Sequence, residues 1–194
     1  MKRSPLILLL ALPLAGCQTM QHITSARVHP AAVTQAYNAW PSGKFDNHEQ
    51  VWSAHESAAN AIAPPHVVIA IDATSQKGWS LWHVHLDVAP PIQAVWAMLA
   101  TTAADGTEAL RPYRALLATP ATGAAFKATQ WAPLDACSLH GKATAAGDID
   151  FVADATACAA IAPEIGTAAA VLPLEVRSDG DWLHVRLYAD QARG

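Results

Sequence analysis

Apolar and polar side chains alternate one for one along two stretches of this chain. Over Trp79–Val88 (WSLWHVHLDV), Trp82, Val84, Leu86 and Val88 share one face, and Leu81, His83, His85 and Asp87 share the other. That is the period of a strand with one buried side. A β-branched run, His66–Asp72 (HVVIAID), precedes it across the turn segment Thr74–Gly78, so the two predict a hairpin. The end of the chain repeats the arrangement. Ala170–Val176 and Trp182–Ala189 flank the turn Ser178–Asp181. In the second run Leu183, Val185 and Leu187 face one way, and Trp182, His184, Arg186 and Tyr188 the other. Pro173 lacks an N–H, so it predicts an edge strand or a bulge.

The middle is less periodic. Ile92–Leu99 and Arg111–Ala118 fit either a strand or a helix, whereas His140–Ala145 and Ile149–Thr156 can pair across Gly147. Alanine-rich segments at Ala121–Ala125 and Ala155–Ala162 are out of keeping with strands. Pro30–Trp40 predicts a short helix with proline in its first turn. Many short strands at near-regular spacing predict an all-β, mainly antiparallel barrel or sandwich with a short N-terminal helix.

The first residues read as an address. Lys2 and Arg3 precede an apolar run, Leu6–Pro13, which leads into Leu14-Ala15-Gly16-Cys17. This resembles a bacterial lipoprotein signal, in which Cys17 is lipidated and becomes the mature first residue. The expected organisation is a signal peptide over residues 1–16, a lipidated tether over 17–30 and a barrel domain over 31–194. Gln18 stands where aspartate usually marks inner-membrane retention. The expected location is therefore the cell envelope, on the outer membrane facing the periplasm, held by acyl chains without a spanning helix.

Charge sharpens the picture. Lys and Arg total 12 and Asp and Glu 16, and the leader carries two of the bases and no acid, so the mature chain is the more acidic. No basic cluster follows residue 3, which excludes a nucleic-acid binder that works by neutralising phosphates. With 52% hydrophobic and 14% charged residues, the chain has enough apolar mass to fold. Seven tryptophans suit a lined cavity or broad sheet faces. Setting Cys17 aside leaves Cys137 and Cys158, which an oxidising envelope would join; two free buried thiols are the alternative.

Motifs of phosphate cradles, nucleophile elbows and zinc proteases are absent. His83 and His85 share a strand face and His184 lies on the terminal hairpin. Two imidazoles fall short of a full metal site, so no metal is assigned.

Gly43-Lys44-Phe45-Asp46-Asn47-His48-Glu49-Gln50 resembles the G-x-F-x-N-x-x-Q opening of the CpcT/CpeT family of phycobilin chromophore lyases. Three further marks follow in family order. They are Pro112-Tyr113-Arg114, Asp135-Ala136-Cys137 with alanine in a glycine's place, and Phe151 with Cys158, where Ala153 replaces another glycine. The resemblance spans about residues 33–194. It implies a lipocalin-like calyx β-barrel that binds a bilin, a linear tetrapyrrole, and presents it to an acceptor cysteine thiol on a partner protein. By that reading Arg114 pairs with a propionate, and Tyr113, Asn47 and Gln50 hydrogen-bond the pyrrole nitrogens or lactam oxygens. Locally, Asp46 or Asn47 followed by Glu49 and Gln50 is a helix-capping pattern. The resemblance implies instead that Gly43–Trp52 starts a strand, and the strand is the expectation here. Two functions follow: a chromophore lyase acting on an as yet unspecified acceptor, or a non-enzymatic lipidated carrier of a tetrapyrrole or another apolar small molecule. No covalently bound cofactor is expected in either.

Overall fold

Nine strands follow one another around an antiparallel path. They are β1 (Gly43–Asp46), β2 (His66–Ala73), β3 (Trp79–Asp87), β4 (Ile92–Thr102), β5 (Glu108–Ala115), β7 (Leu139–Ala143), β8 (Ile149–Ala153), β9 (Pro173–Ser178) and β10 (Leu183–Leu187). A short β6 (Trp131–Pro133) branches from β5. The computed structural model describes residues 42–57, 64–102, 107–143, 148–178 and 182–193. The leader, Cys17, the tether and the helix expected over Pro30–Trp40 lie outside the described residues. The sheet curls into a nearly closed barrel, so the all-β expectation holds.

The alternating pattern sets which side is in. Trp82, Val84 and Leu86 of β3 face the interior with Ile69 and Ile71 of β2, and Trp96 and Met98 of β4 meet them across the next ladder. Trp82, Trp96 and Phe151 are each no more than 2% exposed. Burying side chains of this size stabilises the fold by about 1.5–3 kcal/mol apiece. The Trp82 indole N–H donates to buried Ser80 Oγ at 3.0 Å, so a polar atom inside the barrel is satisfied locally. Leu81 faces outward yet is fully buried. It belongs to a second cluster with Ala97, Phe126 and Trp131, formed where the chain after β5 folds back over the outside of the barrel.

Several ambiguous segments resolve. Ile92–Leu99 and the first part of Arg111–Ala118 are strand, because both neighbours of each supply ladder partners. The alanine-rich segment becomes helix α2 (Ala155–Ile165), whose N-cap Asp154 accepts from the Thr156 and Ala157 amides at 2.9 and 3.0 Å. A 3-10 segment, Gly166–Val171, follows, so strand β9 starts at Pro173 and not at Ala170. Pro173 faces Leu187 where the β9–β10 register shifts, as expected of a residue that cannot donate to the ladder. Strand β9 is nonetheless interior to the sheet, paired with β8 and β10.

The strand expected over Gly43–Trp52 needs correction. It ends at Asp46, and helix α1 (His48–Ser57) begins. The Asp46 carboxylate accepts the His48 amide at 3.2 Å, and the Asn47 carbonyl accepts from Val51 at 3.0 Å. The local capping pattern thus prevails after one short ladder with β2.

Cys137, in a 3-10 turn after β6, and Cys158, in α2, are fully buried and joined in a disulfide with their Cα atoms 4.5 Å apart. The bond ties α2 to the 3-10 turn after β6. The Gly166–Val171 segment that follows α2 packs on β4 and β3, and Val171 joins the main core.

Candidate functional site

Nine strands in an all-antiparallel path leave the first and last running the same way. Strands β1 and β10 are those ends, and among the described residues neither has a second neighbour. Between them lies a cavity of about 590 Å³, lined by residues of β1, α1, β2, β10 and the segment after it. The opening is therefore a seam in the wall of the barrel.

The inner wall follows from strand parity. Phe45, Val67 and Ile69 come from one side of the seam, and Leu183, Val185 and Leu187 from the other. All belong to or pack against the main core. The rim is polar and its charges are sorted. Lys44 sits toward the starting end of β1, whereas Asp46, Glu49 and Asp190 sit toward or beyond the finishing ends of β1 and β10; His184 lies near the start of β10. One Asp190 oxygen accepts the Leu187 amide at 3.0 Å and fixes where β10 stops.

Asn47 and Gln50 both line this cavity. Asn47 is heavily committed. Its Oδ1 accepts the Val67 amide at 2.7 Å, its Nδ2 donates to the Pro65 carbonyl at 2.9 Å, and its own amide donates to the Val67 carbonyl at 3.2 Å. The side chain works as a clamp that sets the entry of β2 against the end of β1. Gln50 is exposed on the first turn of α1 and lines the cavity.

Tyr113 and Arg114 are elsewhere. Strand β5 stands midway along the sheet path, on the far side from the seam. Tyr113 faces outward, its ring centroid 4.6 Å from that of Trp79 in the outer cluster. Arg114 lies opposite Trp96 in the ladder and has inward parity, but it falls at the end of β5 and is exposed. Neither lines this cavity, so the structure does not bring Arg114 and Tyr113 together with Asn47 and Gln50 there; the motifs carrying them lie half a barrel apart.

Of the histidines considered for metal, His83 sits 3.3 Å from Asp72 and His85 Nδ1 lies 2.8 Å from Gln93 Nε2, both on the outer face of β3. His184 is at the seam. Among the described residues no three metal-ligating side chains converge.

Cavity residues that the sequence reading did not assign to a site include Lys44, Pro64, Pro65, Val67 and Ile69. Parity marked Leu183, Val185 and Leu187 as inward but not as wall of an opening. No protein-family model, curated protein or solved structure matches the chain, and the chemistry of the site rests on its own side chains.

Proposed function

We propose that this protein is a calyx-type binder of one largely apolar small molecule, held in the seam cavity. The observation that carries the reading is a cavity of about 590 Å³ whose inner wall is Phe45, Val67, Ile69, Leu183 and Val185 and whose rim is polar. Ligand sites run to roughly 300–1,000 Å³ and combine apolar walls with a few orienting polar groups. A linear tetrapyrrole, the ligand implied by the CpcT/CpeT resemblance, suits that size and chemistry. Its apolar body would lie against the inner wall, and its polar edge would meet Gln50 and Asn47. An anionic group would reach Lys44, the basic side chain that lines the seam together with His184.

Carriage is the function favoured here, with the lipid anchor on Cys17 holding the carrier at the envelope. Attachment of the ligand to an acceptor thiol, as in chromophore lyases, would use the same cavity to present it.

The test is twofold. The mature protein is purified from its own cells and its organic extract analysed by mass spectrometry. The purified protein is then titrated with biliverdin, following tryptophan fluorescence, since Trp182 lines the site. Co-purification of an apolar molecule, or saturable quenching lost in Val185→Trp, supports the proposal. A clean extract with no saturable quenching by biliverdin or by a neutral analogue sinks it.

A further inference from the structure

Strand edges bind other strands, because every second residue of an edge turns its N–H and C=O away from its one partner. Here two such edges flank one cavity. Since β1 and β10 run the same way, a guest strand between them can be antiparallel to both at once, which completes an even, fully antiparallel path. The volume agrees. Strands lie about 4.8 Å apart, rise about 3.4 Å per residue and pack in layers about 10 Å thick, so each strand residue fills roughly 160 Å³. The cavity of about 590 Å³, which also reaches α1, Pro64 and Pro65, has room for a short strand segment, and β1 has four residues and β10 five.

We infer that the seam between β1 and β10 accepts an extended peptide segment of a partner protein by strand addition. The segment runs antiparallel to both edges, with a basic flank before it and an acidic flank after it.

Three features specify that chemistry. The inward neighbours Phe45, Leu183 and Val185 are apolar, so the guest's inward positions are apolar and alternate with polar ones. Antiparallel entry places the start of the guest at the finishing ends of β1 and β10, beside Asp46, Glu49 and Asp190, which favour a basic flank. The same entry places its end beside Lys44, which favours an acidic flank. Antiparallel pairing thus sets the orientation, and the sorted rim charges then set the flanks. The inference goes beyond small-molecule binding, because it assigns a role to the backbone edges of the cavity as well as to its apolar wall.

The probe is a synthetic peptide with paired lysines at its start, alternating threonine and valine, and paired glutamates at its end. Binding to the full chain is measured by calorimetry, and amide hydrogen exchange is followed by mass spectrometry. The expected result is saturable binding with slowed exchange in Gly43–Asp46 and Leu183–Leu187. Methylating alternate peptide nitrogens should weaken binding at least about tenfold, and so should exchanging the lysine and glutamate ends. Equal binding of the methylated peptide, or no added protection in those strands, overturns the inference. Protection already complete without peptide overturns it as well, since the chain itself then fills the seam. So does protection that grows with protein concentration alone, which identifies a second copy as the occupant. Biliverdin titration scores the small-molecule reading separately: quenching by biliverdin with no peptide binding overturns strand addition and leaves that reading standing.

Discussion

The indole N–H of Trp96, on β4, donates to the main-chain carbonyl of Val171 at 3.0 Å, joining residues 75 positions apart inside the barrel. Trp96 is 2% exposed and Val171 fully buried, so water cannot replace either partner. The bond fixes the 3-10 segment that plugs the barrel to the wall it covers.

Trp96→Phe keeps most of the apolar volume and leaves the Val171 carbonyl without this donor. The expected cost is about 1–3 kcal/mol, the usual penalty for stranding a buried polar group. Trp131 supplies the contrast. Its buried indole N–H has no hydrogen-bond partner among the described residues, so Trp131→Phe should cost less than Trp96→Phe. Urea denaturation of the two variants side by side decides the order.

Asn47→Ala removes both side-chain hydrogen bonds that hold the entry of β2, and a loss of about 1–3 kcal/mol is expected. Asn47→Asp preserves the acceptor for the Val67 amide but sets a carboxylate oxygen against the Pro65 carbonyl. It should therefore be no better than partly rescued. Equal stability of wild type and Asn47→Ala in a thermal melt would remove the clamp from the account.

Reduction of Cys137–Cys158 frees a loop of 21 positions, and the chain-entropy estimate for such a loop is roughly 3 kcal/mol. The matched comparison is the Cys137→Ala, Cys158→Ala double variant, with a denaturation midpoint that should no longer respond to added reductant. Because both sulfurs are buried, wild type should resist mild reductant until it is partly unfolded.

Gly141 stands in β7 opposite Phe151, and a Cβ placed there would run into the Asp150 main chain. Gly141→Ala should cost about 1–3 kcal/mol or more, since a backbone clash has no flexible end to yield. Hydrogen exchange should localise the damage to the β7–β8 ladder. Exchange unchanged in both strands would contradict the geometry.

For an acidic ligand in the seam, Lys44→Met should weaken binding by about two- to fivefold, the scale of an exposed ion pair of about 0.5–1 kcal/mol. Arg114→Met should leave it within experimental error, because Arg114 is exposed across the barrel from the cavity. A larger effect at Arg114 than at Lys44 would place the ligand elsewhere.

The two alternating hairpins, the inward faces of β3 and β10 and the β7–β8 pairing were legible in the sequence alone, and the cysteine pair was legible as one of two alternatives, free thiols being the other. Each depends on side-chain period, turn chemistry or elimination, which are local or countable. Helix α1 was equally readable from its capping residues, and the expectation of a longer strand overrode a correct local signal.

Tertiary structure alone decided which strands became edges and therefore where the cavity lies. Asn47 and Gln50 reach it, and Tyr113 and Arg114 do not, because β1 and β5 are separated by half the sheet path, a quantity no local period encodes. Parity along β10 marks Leu183 and Val185 as inward. Only the absence of a hydrogen-bonded neighbour among the described residues turns those positions from core into the wall of an opening. The physical reason is that pattern sets which face a strand buries, whereas sheet closure depends on the number and direction of all the strands together.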